Sequence, residues 1–61
     1  MNINKLKKEA IKEWNENHGT NFEDCIDAYI AVGENKALEM AHFIANYVRN
    51  AQIRDFRKHT K

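Results

Sequence analysis

The sequence predicts a single all-α domain of three helices, two shorter ones followed by a longer C-terminal helix. Three observations predict it. The 61 residues contain no proline. Apolar residues recur at three- and four-residue steps instead of alternating. The two glycines, Gly19 and Gly33, each follow such a periodic stretch, where a residue in the left-handed conformation closes a helix.

The first helix is expected over residues 4–17. Ile3, Leu6, Ala10, Ile11 and Trp14 form one stripe about 100° wide, with Lys5, Lys8, Lys12, Asn15 and Glu16 opposite. Trp14, mid-stripe, is expected to be buried. His18 falls in the last turn, where a histidine favourably meets the helix carboxyl end.

The second helix is expected to start at Thr20. Glu23, three residues on, completes a capping-box spacing, and Asp24 places negative charge in the first turn. Phe22, Cys25, Ile26, Tyr29, Ile30 and Val32 make its apolar face. Cys25 lies within that face as a small hydrophobe. No histidine sits at helical spacing from it, which argues against a nucleophile. The first two helices are expected to form a short antiparallel pair.

The third helix is expected from residue 35 to at least residue 50. Ala37, Leu38, Met40, Ala41, Phe43, Ile44, Ala45, Tyr47, Val48 and Ala51 cover roughly 220° of its circumference, and Glu39, His42, Asn46, Arg49 and Asn50 fill the rest. A surface helix needs a stripe little over 100° wide, so this one has neighbours on two sides. A second copy of the chain is the expected second neighbour. The predicted core and dimer contacts are Leu38, Ala41, Ile44, Tyr47 and Val48. Beyond Ala51 the phase slips: Ile53 and Phe56 project beside Arg49, while Arg54, Asp55 and Lys58 take the former core line. Either the helix kinks or ends near Asn50, or residues 52–61 form a basic tail or helix extension that binds something.

Size and composition narrow the function. A chain this short buries only about 60% of its unfolded surface and usually relies on a disulfide, a metal, self-association or unusually good helix packing. One cysteine excludes an intrachain disulfide and makes a closed zinc site a poor reading. No apolar run approaches the roughly 18 residues of a membrane span, so no membrane partner is expected. The first residues lack the apolar stretch of a secretory signal, and a free thiol fits a reducing, cytoplasmic setting. The formal charge of +1 conceals a basic, acidic, basic order along the chain. The acids of residues 16–39 are Glu16, Glu23, Asp24, Asp27, Glu34 and Glu39; the closing cations are Arg49, Arg54, Arg57, Lys58 and Lys61.

No catalytic constellation is visible. Glu39 and His42 have the Glu-x-x-His spacing of carboxylate-bridged metal bundles, but they lie on the polar arc, whereas ligands in a bundle face inward. His18, His42 and His59 make no nucleophile–base–orienter set, and isolated glycines make no phosphate loop. No cofactor is expected. Taken as the turn of a helix-turn-helix, Gly33 would present Glu34, Lys36, Glu39 and His42 as readers, a poor match to phosphate.

Protein binding remains. Arg49, Ile53, Phe56 and Arg57 gather on one helical face, an aromatic flanked by arginines as in an interface anchor. Glu23, Asp24 and Asp27 form an acidic surface suited to a basic partner. The competing structural reading folds Ile53 and Phe56 back onto Trp14 or the second helix. The expected function is therefore non-enzymatic: a homodimeric helical protein that binds and inhibits a protein target. Abundant asparagine, lysine and isoleucine fit AT-rich coding sequence, as in small phage- or mobile-element-encoded inhibitors. The alternative is a DNA-associated regulator binding nucleic acid through the basic tail.

Overall fold

The computed structural model describes residues 2–59, with side chains through residue 57. The described residues form three helices and no strand: α1 (Ile3–His18), α2 (Cys25–Val32) and α3 (Glu34–His59). Lys61 and the side chain of Lys58, two cations of the basic tail, lie outside the described residues.

Asn2 starts α1 by accepting the Lys5 amide on its side-chain oxygen at 3.1 Å, satisfying one of the free donors of the first turn. Ala10 and Trp14 are buried and Leu6 and Ile11 half-buried, so these members of the predicted stripe form the packing face, while Ile3 at its start is 48% exposed. Gly19 ends the helix in the left-handed conformation (φ 62°, ψ 34°), its N–H donating to the Asn15 carbonyl.

The start of α2 differs from expectation. Its N-cap is Asp24, whose carboxylate accepts the Asp27 amide at 2.8 Å, while the Asp27 carboxylate accepts the Glu23 amide at 3.0 Å. The Thr20–Glu23 box does not form because Asn15 holds this segment. Thr20 Oγ1 donates to Asn15 Oδ1 at 2.8 Å, and the same oxygen accepts the Phe22 amide at 3.1 Å. Phe22 therefore lies in the connection and not on α2, although it still packs against the core.

Gly33 also departs from a left-handed cap. Its φ is 95° but its ψ is 178°, a region essentially closed to side-chain-bearing residues. Its N–H donates to the Tyr29 carbonyl at 3.0 Å and its carbonyl accepts the Ala37 amide at 3.2 Å. One residue thus ends α2 and opens α3. The extended ψ turns the chain straight into the next helix, which a left-handed ψ would delay.

α1 and α2 each pack on α3, and among the described residues they do not pair with one another. The expected antiparallel α1–α2 pair is replaced by a shared spine. The arc of α3 is wide enough for both, and the small inner face of α2, with Ala28 buried, fits against it. The core joins Trp14, Ala28, Ala37 and Met40, with Ile11, Phe22, Cys25, Phe43 and Ile44 around them. Trp14 is 5% exposed. It meets Phe43 edge-on at 5.7 Å between ring centroids and stacks on His18 at 3.7 Å. His18 Nδ1 donates to the Trp14 carbonyl at 3.0 Å, the expected role at the carboxyl end of the helix. The buried Trp14 Nε1 has no acceptor among the described residues.

α1 runs antiparallel to α3, with Trp14 at Phe43 and Ile3 lining the same groove as Gln52. This explains the phase slip after Ala51. α1 has run out by that point, so the former core line of α3 has nothing left to cover and accepts Arg54 and Asp55. The helix does not end near Asn50. It continues to His59 as an overhang, and the molecule is 44 Å long against 18 and 17 Å across.

Candidate protein-binding surface

Two apolar seams run along α3, each with the alternating three- and four-residue spacing of a helix–helix contact. Ala37, Met40, Ile44, Tyr47 and Ala51 form the inner seam, buried or half-buried. Leu38, Ala41, Ala45 and Val48 form the outer seam, continued by Gln52. Here Leu38 is 50% exposed, the alanines are exposed and Val48 is half-buried. Of the five predicted contact residues, Ile44 and Tyr47 therefore belong to the fold, while Leu38, Ala41 and Val48 line a face open in the single chain.

α2 extends this face. Ala28 points inward, which leaves Ile26 and Ile30, one turn apart, 71% and 78% exposed. Beside Ile26 lies a crevice of about 470 Å³ between Tyr29 and Leu38. A second groove, of about 550 Å³, runs between α1 and α3, floored by Ile3, Ile11, Ile44 and Val48. Cys25, Ile26 and Ala41 line both, so the two form one continuous apolar surface. The sequence placed Ile26 and Ile30 on a buried face; the small residues Cys25 and Ala28 were the available sign of which side turns inward.

Charge is separated along the length of the molecule. The antiparallel α1 brings its lysines toward the end of α3 that carries Arg49, Arg54 and Arg57, with Lys7 and Arg49 lining the same groove. Around α2 and the start of α3 lie Glu23, Asp24, Asp27, Glu34 and Glu39, where Lys36 pairs with Glu39 at 3.3 Å. Of the predicted acidic surface, Asp24 and Asp27 serve first as the cap of α2.

Arg49, Ile53, Phe56 and Arg57 all lie exposed on one side of α3, the last three on or next to the overhang. Phe56 is 68% exposed and Ile53 40%. Neither folds back onto Trp14, which sits about three turns nearer the start of α3, beside Phe43.

Burial and the nearby Asp24 carboxylate push the Cys25 thiol up from its ordinary value, partly offset by Lys7, and a thiol held protonated is a poor nucleophile. Glu39 and His42 are both exposed, and among the described residues no three His, Cys, Asp or Glu are grouped to hold a metal. The single residue between α2 and α3 is shorter than the three- or four-residue turn of a helix-turn-helix. No helix is long and apolar enough to cross a membrane among the described residues. No known family model matches this sequence, and no curated protein or solved structure is significantly similar to it.

Proposed function

We propose that this chain is a non-catalytic helical binding protein that dimerises through its third helix and inhibits a protein target by covering part of its surface. The observation that carries the reading is the overhang of α3. It displays Phe56 and Ile53 to solvent between Arg49 and Arg57. A large exposed aromatic flanked by arginines has the composition of a binding hot spot, and an overhang leaves room for a partner on several sides.

The test is affinity capture from lysate of the source cell, with nuclease, in moderate salt, comparing wild type with Phe56→Ala. A partner retained by wild type and lost by the variant supports the reading. A partner held equally by both removes the overhang from the site.

A second reading has its own observation. The basic ends of α1 and α3 meet at one end of the molecule, which suits a nucleic-acid backbone. Phosphate-dominated binding weakens by orders of magnitude between about 50 and 200 mM salt, whereas contact through Ile53 and Phe56 does not. Capture that vanishes with nuclease and salt selects this second reading.

A further inference from the structure

We infer that the outer seam of α3 is covered by a second copy of this chain lying antiparallel across it, with Leu38 of one copy against Val48 of the other. This rests on the dimer reading above and adds to it the surface, the direction and the register.

Area is the first argument. The chain exposes 4987 Å², whereas a compact monomer of 7.2 kDa exposes about 4100 Å². That excess is shared between the overhang of α3 and the open faces of α2 and the outer seam, and it is of the order of the roughly 800 Å² each partner contributes to a standard interface. It is also apolar where it matters: Ile26 and Leu38 are each at least half-exposed, and both line the crevice beside the seam.

Seam composition is the second. Ala41 and Ala45 stand at its centre with larger Leu38 and Val48 on either side. Small central residues let two helices approach closely. Turning one copy end for end about the midpoint between Ala41 and Ala45 sets Leu38 against Val48 and alanine against alanine. Both large–large contacts then lie outside the close approach. Such a two-fold contact is self-complementary and closed.

Charge decides the direction. In a parallel pair Lys7 and Arg49 of the two copies would lie side by side, as would Asp24 and Glu34, the charged residues that line the two grooves. In an antiparallel pair the basic end of each copy lies toward the acidic end of the other, complementarity of the kind that fixes the orientation of an interface.

The test uses the 61-residue chain carrying Cys25→Ser. Sedimentation equilibrium over a concentration series should give a dimer, and Ala45→Glu, at an exposed position, should give a monomer with unchanged helicity. A monomer in the parent would overturn both the dimer reading and this inference. Chains bearing Leu38→Cys and Val48→Cys are then oxidised alone and mixed. A disulfide needs Cα atoms within about 7 Å, so the expected result is a mixed disulfide only in the mixture. Cross-linking of each variant to itself would leave the dimer standing but overturn the antiparallel arrangement. A dimer that cross-links in no combination, or one that survives Ala45→Glu, would overturn the surface itself.

Discussion

The side chain of Asn15 holds the backbone of Phe22 by both of its polar groups: Nδ2 donates to the Phe22 carbonyl at 2.8 Å and Oδ1 accepts the Phe22 amide at 3.1 Å. The same oxygen takes the Thr20 hydroxyl, so one amide organises the connection from α1 to α2. Asn15→Ala removes three hydrogen bonds worth about 1 kcal/mol each. The expected loss is about 2–4 kcal/mol, read as a lowered midpoint in urea unfolding. A loss under 0.5 kcal/mol would show that the connection is held by Phe22 packing alone.

Trp14 is the largest side chain in the core and touches both Phe43 and His18. Trp14→Ala is expected to cost about 3–5 kcal/mol, most of the stability of so small a domain. Circular dichroism at 25 °C should show a largely unfolded chain. A variant that melts with the parent would refute the packing face assigned to α1.

Both glycines adopt positive φ with open space where a Cβ would go, so alanine at either position probes backbone conformation alone. Gly19 lies in the left-handed region (φ 62°), at about 1–2 kcal/mol for alanine. Gly33, at φ 95° and ψ 178°, lies where alanine is far rarer. Thermal melts should therefore rank Gly33→Ala as the more damaging change. The reverse order would mean that the α2–α3 junction relaxes to another geometry without loss.

Cys25 titrates above an ordinary thiol because burial disfavours its thiolate, with Asp24 adding repulsion and Lys7 opposing it. Asp24→Asn keeps a good cap and removes the charge. The rate of alkylation by iodoacetamide should then rise at a lower pH than in wild type. The sign for stability follows. The folded state holds the thiol proton more tightly than the unfolded state, so this contribution is whole below the unfolded thiol value and fades as pH climbs through the folded one. An alkylation profile unmoved by Asp24→Asn would assign the shift to burial alone.

Much of this fold is legible in the sequence because helix faces are local. The stripe ending in Trp14, the unusually wide arc of the third helix and both glycine breaks follow from spacing. Competition between side chains for the same backbone is not local. Thr20 and Glu23 have the spacing of a cap, yet Asn15, assigned by periodicity to a solvated face, takes Thr20 for itself and moves the cap to Asp24. Nor does spacing show where a neighbouring helix stops. The phase slip at Ile53 and Phe56 was visible, but its cause, the end of α1 near Gln52, depends on the antiparallel alignment. For the candidate site, the pattern of Arg49, Ile53, Phe56 and Arg57 was readable, whereas the exposure of Ile26 and Ile30 depends on how α2 rolls against α3.

That both shorter helices rest on α3 and not on each other also sets an order of events at the ribosome. α1 and α2 leave it first, yet neither has a native surface to dock on until α3 follows. Trp14 and Ile11 therefore wait uncovered until Met40 and Phe43 are made. Domains commonly begin to fold from the N-terminal side during synthesis; here the interval before docking is when the nascent chain is most open to proteases, to chaperones and to premature contact with its own siblings.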